Sequence, residues 1–292
     1  MIIISLLMSV AAYVTVLITS GQLAKGAFEN TADRLYFQVV RNVLCVIMMF
    51  LITRTLKASG LTMILAAVMG LASLVSSFFS LICYRLGPIS ISVLLINLIT
   101  LIISSLSGPI IWGEAITLFQ ILGIVMAMAS MALLTEKSVV KKASFMWVVT
   151  LILSGISAGV QGPIQKVLTN SAYAGERQEF VLYTFIFSTI ASIILLLFVN
   201  GAMKEKRSFK FNKGITFLFI LQAVLSLFLN INNLKLVGEL PTTVFFPAYT
   251  VGGLLLSSVI SIYLFREKPT VRRIIGLVIG LVSLLFISGV VG

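Results

Sequence analysis

Eight of the polar residues within the long apolar runs of this sequence could bind a small solute through hydrogen bonds or charge. Polar side chains inside membrane-length apolar runs are costly and often mark a substrate pathway. Each of them could instead form a hydrogen bond between helices, and that structural interpretation stays open for every one. The candidates for substrate binding are Arg41, Ser77, Asn97, Gln161, Gln165, Asn230, Asn233 and Tyr249.

Arg41 carries the only charge among these candidates. Its guanidinium could bind a carboxylate or a phosphate through two parallel N–H bonds. It also lies about five residues, or roughly 7 Å, from the end of its apolar run, so the side chain could reach the membrane surface. Both a binding role and a snorkelling role are compatible with the sequence.

The sequence gives little support for catalysis. It contains no histidine, and no acidic pair lies within an apolar run, so acid–base or metal-assisted chemistry cannot be assigned. Cys45 and Cys83 both lie in apolar runs, so neither a disulfide framework nor a thiolate metal site is expected. We expect a transporter without a cofactor, for an uncharged or zwitterionic metabolite. A membrane-embedded lipid-modifying enzyme and a non-transporting receptor are the alternatives.

The composition predicts an all-α integral membrane protein. Apolar residues make up 59% and charged residues 10% of the chain, against about 25% charged residues in soluble domains. Ten apolar runs approach the ~20 residues that a helix needs to cross a bilayer. The predicted spans are Ile2–Leu23, Tyr36–Ile52, Leu61–Tyr84, Ile89–Ile111, Ile116–Leu134, Phe145–Leu168, Phe180–Val199, Ile215–Leu234, Thr242–Phe265 and Thr270–Val290. The first run has no basic residues before it and no cleavage site, so we interpret it as a retained span.

The chain contains an internal duplication. A shift of 153 residues aligns residues 61–134 with residues 214–287 without a gap, with 14 identities in 74 positions. The apolar composition alone would give roughly six identities. Because each half holds an odd number of spans, the second half must enter the membrane inverted. We therefore predict two inverted five-helix repeats, residues 1–136 and 144–292, around a central cavity.

The repeated residues resemble a known family. The pairs at the offset of 153 are Pro88 and Pro241, Glu114 and Glu267, Thr117 and Thr270, and Gly123 and Gly276. Lys25 and Lys166, near the ends of the first and sixth spans, follow Gly21 and Gly162 at a common offset of 141. With Arg41 in the second span, this pattern resembles the EamA-type domain of the drug/metabolite transporter superfamily. The resemblance implies a ten-helix transporter with a central substrate cavity, and it does not identify the substrate. Ser188, near the second-half position equivalent to Arg41, departs from the pattern.

Two local features follow from residue type. Glu114 stands just before the fifth span, where its carboxylate could meet the positive end of that helix. Gly162 and Pro163 interrupt the sixth span and should free backbone carbonyls there.

The net charge of +12 is distributed over short loops, which favours anionic lipid head groups over nucleic acid as partners. With ten spans, the termini share a face with five basic residues: Arg54, Lys57, Lys166, Arg177 and Lys235. The opposite face holds fifteen of the 21 Lys and Arg, so the positive-inside rule predicts termini outside a bacterial-type cytoplasmic membrane. The family resemblance implies cytoplasmic termini instead. A small-molecule substrate is expected, and the oligomeric state stays open.

Overall fold

A computed structural model of the chain describes residues 2–26, 28–53, 56–86, 89–134, 144–202, 204, 208, 212–265 and 270–287. Pro88, Glu267, Arg54 and the basic stretch 137–142 lie outside these residues, as does the side chain of Lys25. The described residues form α-helices and one π-helical turn, with no strand among them, which agrees with the predicted all-α class. The helices are α1 (Ile2–Gly26), α2 (Thr31–Thr53), α3 (Gly60–Leu86), α4 (Ile89–Ser107), α5 (Leu118–Leu134), α6 (Phe145–Gly159), α7 (Gln161–Thr169), α8 (Arg177–Ala202), α9 (Lys213–Glu239), α10 (Thr242–Phe265) and α11 (Val271–Ile287), with the π-helical turn at Gly108–Trp112 after α4.

Within the described residues, seven stretches are long and apolar enough to cross a membrane. They are Ile2–Ser20, Thr31–Thr53, Gly60–Ser80, Leu95–Trp112, Phe145–Thr169, Arg177–Ala202 and Lys213–Glu239. Three shorter apolar helices, Leu118–Leu133, Thr242–Leu256 and Ile274–Ile287, coincide with the remaining predicted spans. The chain is therefore a multi-pass membrane protein, and the count of ten spans stays a prediction.

Polar caps explain why two helices extend beyond the predicted spans. The side chain of Asn30 accepts the N–H of Asp33 at 2.9 Å, so α2 begins five residues before the apolar run. The side chain of Asn212 accepts the N–H of Ile215 at 2.8 Å at the start of α9. Hydropathy alone misses such polar first turns, because the capping residues lie outside the apolar run.

Helices of the two halves have matching bounds. α3 and α9 begin and end 153 residues apart, and so do α5 and α11. α4 with its π-helical turn ends at Trp112, 153 residues before the end of α10. The offset found in the sequence therefore also relates the helices.

Contacts divide the chain into two compact units, each containing segments from both sequence halves. Unit 1 comprises Met1–Val14, Val75–Pro163 and Leu236–Gly292, and unit 2 comprises Thr15–Leu74 and Ile164–Lys235. The units do not follow the division into residues 1–136 and 144–292, which concerns repeats and stays a prediction.

In unit 2, α2 and α8 pack against each other in antiparallel directions. Asp33, at the start of α2, accepts hydrogen bonds from Ser208, which follows α8. At the other end, the hydroxyl of Tyr183 near the start of α8 donates to the carbonyl of Leu56, which follows α2, at 2.7 Å. An apolar core that includes Cys45, Phe180 and Leu227 joins these helices to α3 and α9.

In unit 1, α5 and α11 form the corresponding antiparallel pair. Ser130, late in α5, donates to the carbonyl of Gly276, early in α11, at 2.7 Å. Phe119, early in α5, lies 5.9 Å from Phe286, late in α11. α6 packs on α4 through small residues, because Gly155 and Gly159 leave room for Ile99 and Ile103.

Candidate functional site

Arg41 lies on α2 in unit 2, and two residues of the same helix hold its guanidinium. Nε and Nη2 both donate to Oδ1 of Asn42, at 3.4 and 3.2 Å. The Cζ atom lies 5.7 Å from the ring centroid of Phe37, one helical turn earlier, which is a cation–π distance. Asn42 and Phe37 are both buried, so the guanidinium contacts the interior face of α2.

Asn42 links Arg41 to the second half of the chain. Its side chain is 1% exposed, and Nδ2 donates to Oγ of Ser188 on α8 at 2.9 Å. Ser188 is the residue near the second-half position equivalent to Arg41. The side-chain amide of Asn42 therefore connects Arg41 to Ser188.

Two buried polar atoms, one on α2 and one on α8, have unused hydrogen-bonding capacity. Nε2 of Gln38 and Oγ1 of Thr184 are buried, and neither has a hydrogen-bond partner within the described residues. Gln38 precedes Arg41 and Asn42 by three and four residues, which places all three on one face of α2. Nε2 of Gln38 can therefore donate to a polar ligand group or to an ordered water.

The other three candidates of unit 2 lie on α7 and α9. Gln165 is 9% exposed. Asn230 donates along its own helix to the carbonyl of Ser226 at 2.9 Å. Oδ1 of Asn233 is buried and has no partner in the described part of the chain. Asn233 therefore resembles Gln38 in having a buried polar atom without a hydrogen-bond partner among the described residues. The amide of Asn230 is instead hydrogen-bonded within its own helix.

The helix break between α6 and α7 in unit 1 confirms the interruption expected at Gly162 and Pro163. Because proline lacks an N–H, the carbonyl of Gly159 loses its usual helical donor. Oγ of Ser104 donates to this carbonyl at 2.8 Å. Nε2 of Gln161 donates to the carbonyl of Ser157 at 3.3 Å. The carbonyl that the proline frees is thus bound by a side chain of α4.

Tyr249 packs in an aromatic cluster of unit 1. Its ring stacks on Phe245 at 5.7 Å and lies 5.0 Å from the ring of Tyr13. The cluster adjoins the buried side chains of Leu236 and Val237. This environment gives Tyr249 a role in apolar packing.

Ser77 and Asn97 are half-buried in unit 1, and within the described residues neither forms a hydrogen bond. The hydroxyls next to Ser77 are paired. Ser80 and Ser154 lie 2.6 Å apart, and Ser154 also contacts the carbonyl of Ser76 at 3.1 Å. Ser77 is therefore a neighbour of a hydroxyl network rather than a member of it.

Glu114 caps a different helix from the one expected. Its Oε2 accepts the N–H and the hydroxyl of Thr242, both at 2.8 Å, at the start of α10. A Cβ at Gly108 would overlap both groups, so the close approach requires glycine there. The start of α5 is instead capped by Thr117 and Gln120, which exchange backbone-to-side-chain hydrogen bonds at 3.0 and 3.2 Å.

The eight candidates divide equally between the units. Unit 1 holds Ser77, Asn97, Gln161 and Tyr249, and unit 2 holds Arg41, Gln165, Asn230 and Asn233. Tyr249 aside, no hydrogen bond within the described residues joins any two of them. The sequence analysis missed Gln38 and Asn42. Their spacing from Arg41 on an apolar helix was the available signal.

The comparisons with known proteins agree with this fold. Residues 145–289 match the model of a family described as the EamA-like transporter family. The chain is also similar to a protein of known crystal structure, with a TM-score of 0.71 and 13% sequence identity, over 97% of this chain and 98% of that chain. At this identity the likeness shows the fold alone. No curated protein matches the chain.

Proposed function

Because residues 145–289 make this chain a member of the EamA-like transporter family, within the drug/metabolite transporter superfamily, we propose that it moves a small polar metabolite across a bacterial-type cytoplasmic membrane by alternating access. The family match carries this proposal. An amino acid or a related compound is the substrate class that fits, since the unused polar atoms of Gln38 and Asn233 suit hydrogen bonding to a small polar solute.

The two halves form an inverted repeat in this proposal. Equivalent helices related by an axis in the membrane plane must run in opposite directions. The pairs α2 with α8 and α5 with α11 run antiparallel, each within its own unit. An axis along the membrane normal would make equivalent helices parallel, so these pairs support the inverted arrangement, with the substrate cavity where the halves meet.

The termini lie outside in this proposal, and the basic loops contact anionic lipid head groups on the cytoplasmic side. The charge bias of the loops supports this orientation against the usual family layout. Ala172, in the loop before α8, and Ala202, the last residue of α8, are both exposed. In a variant without Cys45 and Cys83, we expect an impermeant maleimide to label Ala172→Cys in intact cells. Labelling of Ala202→Cys in its place would establish the family layout.

Transport is tested by a thermal-shift screen of the purified protein against a panel of amino acids and related metabolites. A ligand at ~100 times its dissociation constant should stabilise the protein by about 2.7 kcal/mol. Each ligand found is then tested for counterflow in proteoliposomes. Ligands that bind without counterflow would support a non-transporting receptor instead. Turnover of a lipid would support a membrane-embedded lipid-modifying enzyme.

A further inference from the structure

We infer that Asn42 is a positioning residue, which orients Arg41 to bind an oxyanion of the solute, a carboxylate or a phosphate. The inference rests on the proposed function and narrows the substrate to a metabolite that carries an anionic group. Ser188 takes part by fixing Asn42 from the second half of the chain.

The hydrogen bonds between Arg41 and Asn42 leave free the edge of the guanidinium that can bind an oxyanion. They use the edge formed by Nε and Nη2. A guanidinium has five N–H donors, so the edge formed by Nη1 and Nη2 keeps two parallel donors. Two parallel donors are the geometry that binds a carboxylate or a phosphate in a bidentate manner.

Arg41 also lacks a counter-ion within the described residues, where its contacts are Asn42 and Phe37 and it forms no ion pair. A charged side chain inside a membrane span usually faces the interior and is paired. An anionic solute would supply the missing charge during binding. The same charge could come from a lipid phosphate, so the experiment must separate these two sources.

The environment of Arg41 is preorganised. Asn42 is buried and hydrogen-bonded to α8, and Phe37 packs edge-on against Phe219 of α9 at a centroid distance of 4.7 Å. Side chains from three helices therefore fix the guanidinium before a ligand arrives, which lowers the entropy cost of binding. On the same face of α2, Nε2 of Gln38 is a further buried donor with no partner in the described part of the chain.

The decisive variant is Asn42→Asp. It keeps the shape of the side chain and still accepts the hydrogen bonds from Arg41, but it gives Arg41 an internal counter-ion. The Ser188 hydroxyl, which accepts from Nδ2 of Asn42 in the wild type, turns to donate to the new carboxylate. The internal carboxylate then competes with the anionic group of the solute. We expect the melting temperature without ligand to equal or exceed that of the wild type, and the dissociation constant of the ligand to rise about tenfold or more.

The probes are the natural L-amino acids and the corresponding amino acid amides, measured by thermal shift. Each amide keeps the side chain and the ammonium group but lacks the carboxylate. We expect the wild type to bind an acid and not its amide, a discrimination that a purely structural role of Asn42 would not produce. Arg41→Lys should also weaken the binding of the amino acid, because the point charge of a lysine does not reproduce the two parallel donors of a guanidinium. Asn232→Asp is the matched control, since it adds the same carboxylate to α9 in unit 2.

Several results would overturn the inference. Unchanged acid binding by Asn42→Asp would reduce Asn42 to a structural residue. Equal binding of the amino acid and its amide would show that the carboxylate is not recognised. If Asn232→Asp weakens amino-acid binding as much as Asn42→Asp does, the loss would come from any added acidic residue. A stabilisation by phosphatidylglycerol that depends on Asn42, with no stabilisation by an amino acid, would assign the oxyanion to a lipid.

Counterflow in proteoliposomes separates this inference from the proposed function. Binding that depends on Asn42 without counterflow would overturn transport and leave the oxyanion site standing. Counterflow that is unaffected by Asn42→Asp would overturn the oxyanion site and leave transport standing.

Discussion

Glu176 lies in the loop before α8 and binds the residue that caps α3. Ser59 caps α3 by accepting the N–H of Thr62 at 3.2 Å. Oε2 of Glu176 accepts the backbone N–H and the hydroxyl of Ser59, both at 2.9 Å. In a capping box the acid that reaches back to the cap belongs to the capped helix itself. Here the acid comes from another segment and connects two loops of unit 2.

Hydrogen bonds to its carboxylate lower the pKa of Glu176, first from the side chain of Thr62 and then from the backbone N–H of Ser59. Because the folded pKa is lower than the unfolded one, the contribution to stability is complete above the unfolded pKa, about 4.3. It is lost as the pH falls through the folded pKa. The melting temperature of Glu176→Gln should therefore lie below that of the wild type at neutral pH, and the difference should shrink in acid. A difference that does not change down to acidic pH would contradict this linkage.

At the scale of single residues, the sequence identifies charged and amide side chains better than it identifies their partners. Arg41 is conspicuous because a charge interrupts an apolar run. The role of Asn42 depends on Ser188, which is 146 residues away and contacts it only in the folded chain. The cap provided by Glu114 is a similar case. The carboxylate was expected at the start of α5 because that helix follows in sequence, whereas Thr242 of α10 binds it in space.

At the scale of helices, the approach of α3 to α8 depends on Gly70. A Cβ at Gly70 would lie 2.9 Å from both the backbone N of Ser188 and the carbonyl O of Thr184. Both are backbone atoms of α8, so they can move only if the helix moves. The contact therefore also sets the environment of the hydrogen bond between Ser188 and Asn42.

We expect Gly70→Ala to destabilise the protein by about 1–3 kcal/mol through overpacking. Gly60→Ala is the control on the same helix, because a Cβ there meets nothing within 4 Å. The control should be neutral or stabilising by up to about 1 kcal/mol. Melting temperatures of the two purified variants check this difference. Equal melting temperatures would mean that α8 adjusts to the added methyl group without loss.

Helix positions are largely predictable from this sequence, because apolar runs, the 153-residue offset and Pro163 all leave local signals. The bounds of α3 and α9 follow the offset at both ends. The partner of the carbonyl that Pro163 frees was not predictable. Ser104 is repeated as Ser257 and is one of many intramembrane hydroxyls, and nothing local distinguishes it.

At the scale of the whole molecule, each unit depends on both halves of the chain. In unit 2 the buried face of α2 is covered by α8, and in unit 1 the face of α5 is covered by α11. A chain that ended after α5 would leave both of these faces without their protein partners. The internal duplication is therefore a structural requirement as well as a record of ancestry.

This mixing of the halves has a consequence for biosynthesis. If the chain is cut between residues 139 and 140, we expect each fragment expressed alone to be degraded, and the two expressed together to assemble and bind ligand. Immunoblots of membranes and co-purification through a tag on one fragment measure this. A stable first fragment that binds ligand alone would show that the contacts across the halves are dispensable. In the inverted arrangement that we propose, the two copies before fusion would have been two separate subunits inserted in opposite orientations. Fusion fixes their ratio at one to one and guarantees that every first half is made together with its partner.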